Sequence, residues 1–261
     1  MFPGDDEIVT VETTIEPDAF SYDVAGNFAF IGVGQAGSRI AETFYELGYR
    51  RVAVIDGAHQ DLEDVAPGIK KLDLQTSGSG KDIVAGADSV RDREQDIRDL
   101  LTRAVGPDPD YILVCAALGG GTGSGACLKV MEVARKYMES LGRPVRVGCI
   151  IALPTNSEGQ RLAMNSITTL GKLVALNPAP MIVIDNQRIS ELFKVGITQL
   201  YKKCNEQTAK LFHLFNQLAA QRSQLITFDR KEFFDLLDKG VVVYGASPIK
   251  KNGSPADVAG A

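Results

Sequence analysis

Residues Tyr111-Ile-Leu-Val-Cys-Ala-Ala117 form an unbroken apolar run that leads almost directly into Gly119-Gly-Gly-Thr-Gly-Ser-Gly125, five glycines in seven positions. Polar and apolar residues do not alternate along the run. This predicts a strand buried on both faces, the situation of a parallel sheet covered by two helical layers. So many glycines cost backbone entropy at a buried junction. In return they let several amides turn toward one point, a nest for an anion, with the amino end of the next helix adding positive potential. Thr122 and Ser124 contribute hydroxyl donors, and Val130, Val133, Ala134, Tyr137 and Leu141 mark the apolar stripe of that helix.

The same grammar opens the chain. Phe28-Ala-Phe-Ile31 enters Gly32-Val-Gly-Gln-Ala-Gly37, and Ile40, Phe44 and Leu47 then follow at helical spacing until Gly48. Val52–Ile55 reads as the next buried strand. Asp88 is placed to cap a helix carrying Ile97, Leu101 and Ala104 that stops before Gly106-Pro107. Val145–Leu153 and Met181–Ile184 are further strands. Two helical stretches follow, the second from about Gly196 to Gln224, then a short helix (Lys231–Asp238) and a last strand (Val241–Tyr244). Strands alternating with helices predict a Rossmann-like α/β fold, a parallel sheet with helices on both faces and a long helix on its C-terminal side. Ligands of such sheets bind beyond the carboxyl ends of the strands, where both glycine loops fall.

Composition narrows the function. The net charge is −5, and the first 38 residues hold seven acids and no Lys or Arg, so a basic nucleic-acid-binding face is not expected. No apolar run reaches membrane-spanning length. The four cysteines, Cys115, Cys127, Cys149 and Cys204, are scattered without a CxxC pair. The only histidines are His59 and His213, so reduced thiols in a cytoplasmic protein are expected rather than a zinc site.

Two nucleotide chemistries compete. Gly32–Gly37 is a formal GxGxxG, and Asp56 lies 19 residues past Gly37 at a strand end, the pattern of an NAD-binding oxidoreductase. The second glycine loop has no place in that pattern. Gly78-Ser-Gly-Lys81 resembles part of a Walker motif, yet the upstream glycine is missing and Asp82 replaces Ser/Thr. Lys81 reads first as a solvated side chain, with a phosphate contact as the lesser alternative. Tyr201 and Asn205 share a helix face, where a ring can stack on a purine while an amide reads its edge.

GGGTGSG resembles the signature loop of the tubulin/FtsZ family, and Gly34-Gln-Ala-Gly37 looks like that family's first nucleotide loop; the resemblance runs from about Phe28 to Ser247. It implies a GTPase that binds GTP or GDP with Mg²⁺ and assembles head to tail with itself into cytoskeletal filaments. Gly34, Gln35, Ala36, Gly37 and Ser38 would meet the phosphates from one side and Gly119, Gly120, Gly121, Thr122, Gly123, Ser124 and Gly125 from the other. Gln35 would lie near a metal ion held mainly by the phosphates. Asp56 and Gly80 would belong to the second and third loops, Glu158 and Arg161 to the ribose loop, and Asn186, Tyr201 and Asn205 to the nucleoside site. Thr227-Phe-Asp229-Arg-Lys-Glu232 is similar to the family's catalytic loop, with Thr227 in place of Asn. Asp229 and Glu232 would be the catalytic carboxylates, acting on the nucleotide of a neighbouring subunit. Thr227 leaves room for a nucleotide-regulated structural protein that hydrolyses little.

The implied organisation is an acidic arm (1–26), a GTP-binding domain (27–195), a long central helix (196–224), the catalytic loop with a short helix and last strand (225–247), and a tail (248–261). The family's second domain does not fit in that tail, so the expectation is a fragment ahead of a divergent member that lost the domain.

Overall fold

In a computed structural model, residues 24–76, 78–192, 196–221 and 228–242 are described. The acidic arm up to residue 23, Thr227 and the tail lie outside them. Seven parallel strands form one sheet: β1 (Phe28–Val33), β2 (Val52–Asp56), β3 (Lys70–Asp73), β4 (Tyr111–Ala117), β5 (Val147–Leu153), β6 (Met181–Asp185) and β7 (Val241–Val242). Their order is β3-β2-β1-β4-β5-β6-β7. The direction of winding reverses between β1 and β4, whose registers run from Phe28 opposite Tyr111 to Val33 opposite Ala116. That reversal opens a crevice at their carboxyl ends.

Alternate residues of β1 serve two cores. Ala29, Ile31 and Val33 join one layer with α4 (Glu94–Ala104), α5 (Gly121–Ser140) and α6 (Gln160–Leu176). Phe28 and Phe30 face the other, with α1 (Gly34–Glu46), α8 (Ile197–Leu218) and α9 (Arg230–Leu237). The second layer is aromatic: Phe212 meets Phe28 edge-on at 4.8 Å and Phe44 at 5.7 Å, while Phe30 stacks on Phe44 at 3.8 Å. Three short helices, α2 (His59–Glu63), α3 (Ile83–Asp88) and α7 (Asn186–Leu192), and a 3-10 turn (Asn156–Glu158) complete the described elements.

Several boundaries differ from the sequence reading. Asp88 does not cap the helix of Ile97 and Leu101; it ends α3, which Asp82 caps through Val84 and Ala85 amides, and α4 starts at Glu94 with no side-chain cap. The break has a packing reason. A Cβ on Gly86 would strike the Gly121 carbonyl, so α3 lies directly against the start of α5 as an element of its own. The long helix ends at Leu218, 22 residues or about 33 Å, rather than the 40 Å that a run to Gln224 would give. β5 begins at Val147, two residues later than expected. Val243 and Tyr244 lie outside the described residues. Among the described residues no helix is long and apolar enough to cross a membrane.

Candidate functional site

Both glycine loops fold back at the switch point and enclose a cavity of about 420 Å³. Gly34 adopts φ 73°, a left-handed turn that side-chain-bearing residues rarely take. A Cβ there would lie 2.9 Å from the amide nitrogen of Gly123, so the two loops approach closely enough to require glycine. A Cβ on Gly37 would strike the Cys115 carbonyl, which is why α1 can start so near β4. Ser124 Oγ accepts from the Gly119 amide at 2.8 Å and holds the second loop in shape.

Of the residues expected at the site, Gly34, Gln35, Ala36, Gly37, Asp56, Gly80, Gly120, Gly121, Thr122, Gly123, Glu158, Asn186, Tyr201 and Asn205 line the cavity. Ser38, Gly119, Ser124, Gly125 and Arg161 do not. Ser38, Ser124 and Gly125 instead support the loops: the two serines are buried, and a Cβ on Gly125 would collide with the Ile83 carbonyl. Arg161 is exposed at the start of α6.

At one end of the cavity Tyr201 donates to Glu158 Oε1 at 2.9 Å, and the same oxygen accepts from the Thr155 amide at 2.7 Å. Burial, followed by the neighbouring Glu158, pushes the Tyr201 phenol up to about 12, so it stays a donor at neutral pH. Asn205 lies one helical turn further along α8, and Asn186, buried at the start of α7, lines the same cavity. Toward β2, Gln35 Nε2 donates to Asp61 Oδ1 at 2.5 Å. Asp56 Oδ1 accepts from the Gly57 amide at 2.6 Å, while its Oδ2 is buried without a partner among the described residues. Burial raises the Asp56 pKa, Asp61 and Asp73 add to that, and the Gly57 and Ala58 amides oppose it.

The loop Gly78–Asp82 closes the far end. Ser79 Oγ and Thr122 Oγ1 are 3.0 Å apart, and Asn165 Nδ2 donates to the carbonyls of Lys81 and Gly119, both at 2.9 Å. The sequence reading missed Arg39, Asp61, Ser79 and Leu162 and ranked Lys81 as solvated, yet all five line the cavity. Arg39, Asp61 and Leu162 carried no motif signal, because their positions depend on how α1, α2 and α6 pack.

Asp229 and Glu232 are not part of this cavity. They close the first turn of α9 as a capping box: the Glu232 amide donates to Asp229 Oδ1 at 2.9 Å, and the Asp229 amide to Glu232 Oε2 at 3.3 Å. Asp229 borders a separate open hollow with Arg146, Arg230, Lys231, Phe234 and Asp235. α9 lies at the amino ends of the strands, where Phe234 packs edge-on against Tyr111, the first residue of β4, and Arg230 pairs with Asp110 at 2.7 Å. The seven residues of β4, about 23 Å, thus stand between the two acids and the glycine loops.

A parallel sheet whose switch point carries two apposed glycine loops, with an amide and a phenol at the other end, defines a nucleotide-binding type of α/β protein. The comparisons with known proteins narrow it. The sequence profile of the Tubulin/FtsZ family, GTPase domain, matches residues 27–194. The chain belongs to that family, whose members are in general GTPases. It is 28% identical over 223 residues to cell division protein FtsZ 1 of Pyrococcus woesei, covering 82% of this chain and 57% of that one. It is 30% identical over 236 residues to the tubulin-like protein CetZ of Thermococcus kodakarensis, covering 84% and 60%. The chain therefore spans little more than half the length of these relatives. Similar solved folds include a GTPγS-bound protofilament of CetZ2 from Haloferax volcanii (TM-score 0.69, 22% identity, 82% of this chain and 64% of that one). Another is TubZ from Clostridium botulinum phage c-st (TM-score 0.67, 17% identity, 83% and 68%).

Proposed function

We propose that this chain binds GTP and GDP in the switch-point cavity and hydrolyses GTP when subunits assemble head to tail. The observation that carries the reading is the joining of Gly34–Gly37, Gly120–Gly123, Glu158, Tyr201 and Asn205 around one cavity. Phosphates lie between the two loops, held by backbone amides and the starts of α1 and α5. Glu158 accepts from the ribose hydroxyls. The Tyr201 ring stacks on the base, and Asn205 pairs with the guanine edge as both donor and acceptor.

A magnesium ion fits this lining in one way. Gln35, Asp56 and Asp61 line one wall, but among the described residues no group of three or more His, Cys, Asp or Glu could hold a metal by itself. The phosphates must supply the other ligands, and the ion would neutralise charge developing on them. Asp56 also bears on the NAD alternative. Its Oδ1 is engaged by its own loop amides at Gly57 and Ala58, an arrangement that does not favour grasping a ribose diol.

Asp229 and Glu232, about a strand's length from the loops, are set to act on the nucleotide of a neighbour, where a carboxylate positions water and accepts its proton. Such a reaction requires self-association and would make hydrolysis rise steeply with protein concentration. In this reading the protein works as a cytoplasmic filament. Specificity is the direct test. Asn205→Ala should lower GTP and GDP affinity about 10- to 100-fold, the cost of losing paired hydrogen bonds in a buried site, while ATP binding stays weak and unchanged. Competition titrations with a fluorescent guanine nucleotide read it. An unaltered guanine preference in Asn205→Ala would remove Asn205 from the base site.

A further inference from the structure

The helix α6 has two unlike faces. Inward, its polar side chains grip the second glycine loop: Ser166 Oγ donates to the Leu118 carbonyl at 2.6 Å, Asn165 Nδ2 to the Gly119 carbonyl at 2.9 Å and Thr169 Oγ1 to the Ser124 carbonyl at 3.4 Å. These bonds fix the helix to the rest of the fold. Outward, Met164, Ile167 and Val174 are 55%, 65% and 57% exposed. At about 100° per residue they fall with Ala163, Gly171 and Ala175 into one stripe. Arg161 and Lys172 are the only charged residues of α6, and both lie on one margin of that stripe. The helix contains no acid.

A second copy of the same helix fits this stripe in shape and in charge. Met164, Ile167, Gly171 and Val174 follow one another at the alternating three- and four-residue steps of a two-helix seam. Gly171 stands in mid-helix, where glycine weakens a helix relative to alanine. A Cβ there meets nothing within 4 Å, so the chain's own fold does not call for glycine. Laid antiparallel about a two-fold axis level with Thr169, Ile167 enters the gap at the partner subunit's Gly171, and Met164 meets the partner subunit's Val174. Arg161 lies in the first turn of α6, which holds no acid, a poor place for a cation beside its own helix dipole. The antiparallel pair brings it to the carboxyl end of the other helix, where a cation is stabilised. The nearest cation across the pair, the partner subunit's Lys172, stays about 7.5 Å away along the axis alone.

We propose that the outer face of α6 is a self-association surface, pairing antiparallel with α6 of a second copy of this chain. The helix has 17 residues, about 25 Å in length. Two such helices alone bury less than the roughly 800 Å² per partner of a standard interface. The pair is therefore a weak, reversible dimer driven by concentration. It is distinct from a head-to-tail contact, which joins two different faces and brings no residue onto its own counterpart. It does not depend on which nucleotide the cavity takes.

Cross-linking tests the pair. Cys115, Cys127, Cys149 and Cys204 are buried, so an engineered surface cysteine is the thiol that reacts. Thr168 is exposed beside the two-fold axis and comes close to its own counterpart in this arrangement. Thr168→Cys treated with a short bis-maleimide should give covalent dimer that increases with protein concentration. Thr102→Cys, on the exposed side of α4, should not. Gly171→Lys raises helix propensity and meets no neighbour, so the fold stands and its thermal midpoint stays level or rises. It places a charge against the partner subunit's Ile167 and should raise the dimer dissociation constant, read by sedimentation equilibrium, about tenfold or more. Arg161→Glu suits the amino end of its own helix, yet it should weaken the pair, because an anion then faces the carboxyl end of the other helix. No more dimer from Thr168→Cys than from Thr102→Cys, or a dimer that Gly171→Lys leaves intact, overturns the proposal. A tighter dimer in Arg161→Glu overturns the antiparallel arrangement.

Discussion

Gly120→Asp should leave the protein folded and abolish nucleotide binding. Gly120 sits at the N-cap of α5 with φ −71° and ψ 168°, extended backbone that any residue adopts, and a Cβ there meets nothing within 4 Å. Asp is a favoured N-cap residue, so its carboxylate takes the free amides of the first turn. Those are the amides proposed to hold phosphate. The new charge also faces the incoming phosphates, and at about 4 Å a like pair costs about 4 kcal/mol at an effective dielectric of 20. Affinity should fall by at least 100-fold while the thermal midpoint of the empty protein stays level or rises. Gly121→Asp is a less clean choice, because a Cβ there strikes Ser79 and lies 2.7 Å from the Asp82 carbonyl, where α3 begins. Titration together with circular dichroism checks the result. Wild-type affinity in Gly120→Asp would move the phosphates away from this loop.

Glu232→Gln should bind GTP and assemble, yet release phosphate about 10²- to 10⁴-fold more slowly. The amide keeps an oxygen for the Asp229 amide, so the capping box survives. What is lost is the ability to take a proton. A shared site predicts more than a slow enzyme. Glu232→Gln subunits carry GTP but lack the base, and Gly120→Asp subunits carry the base but no nucleotide. Mixed, they should recover phosphate release that neither shows alone, provided the empty subunit enters the filament. Phosphate release measured across mixing ratios decides it. Wild-type turnover in Glu232→Gln would leave Glu232 as a helix cap and nothing more.

Fold class was legible because each buried strand writes itself as an unalternating apolar run, and Tyr111–Ala117 and Val147–Leu153 are buried almost throughout. The edge strand β3 left no such mark. In Lys70–Asp73 only Leu72 is buried, so three of its four residues read as surface. The glycine loops were visible for a related reason: Gly34 and Gly123 touch backbone to backbone, and only glycine satisfies that contact. Residues whose place depends on helix packing stayed hidden. Asp61 reaches Gln35 through α2, a five-residue helix with no periodic signal. Asn165 grips two loops from α6, an element whose apolar residues Met164, Ile167 and Val174 face outward and blur its pattern. The family resemblance also implied Ser38 and Gly125 at the phosphates, whereas neither lines the cavity: Ser38 is buried and Gly125 lies against α3.

The central claim is that the switch-point cavity belongs to a guanine nucleotide, and parallel titration of the same preparation with labelled GTP, ATP and NADH tests it most directly. Binding of GTP at least tenfold tighter than ATP, with no saturable NADH binding, is the predicted result. Preferential, saturable NADH binding would contradict it and return the GxGxxG loop to a dinucleotide.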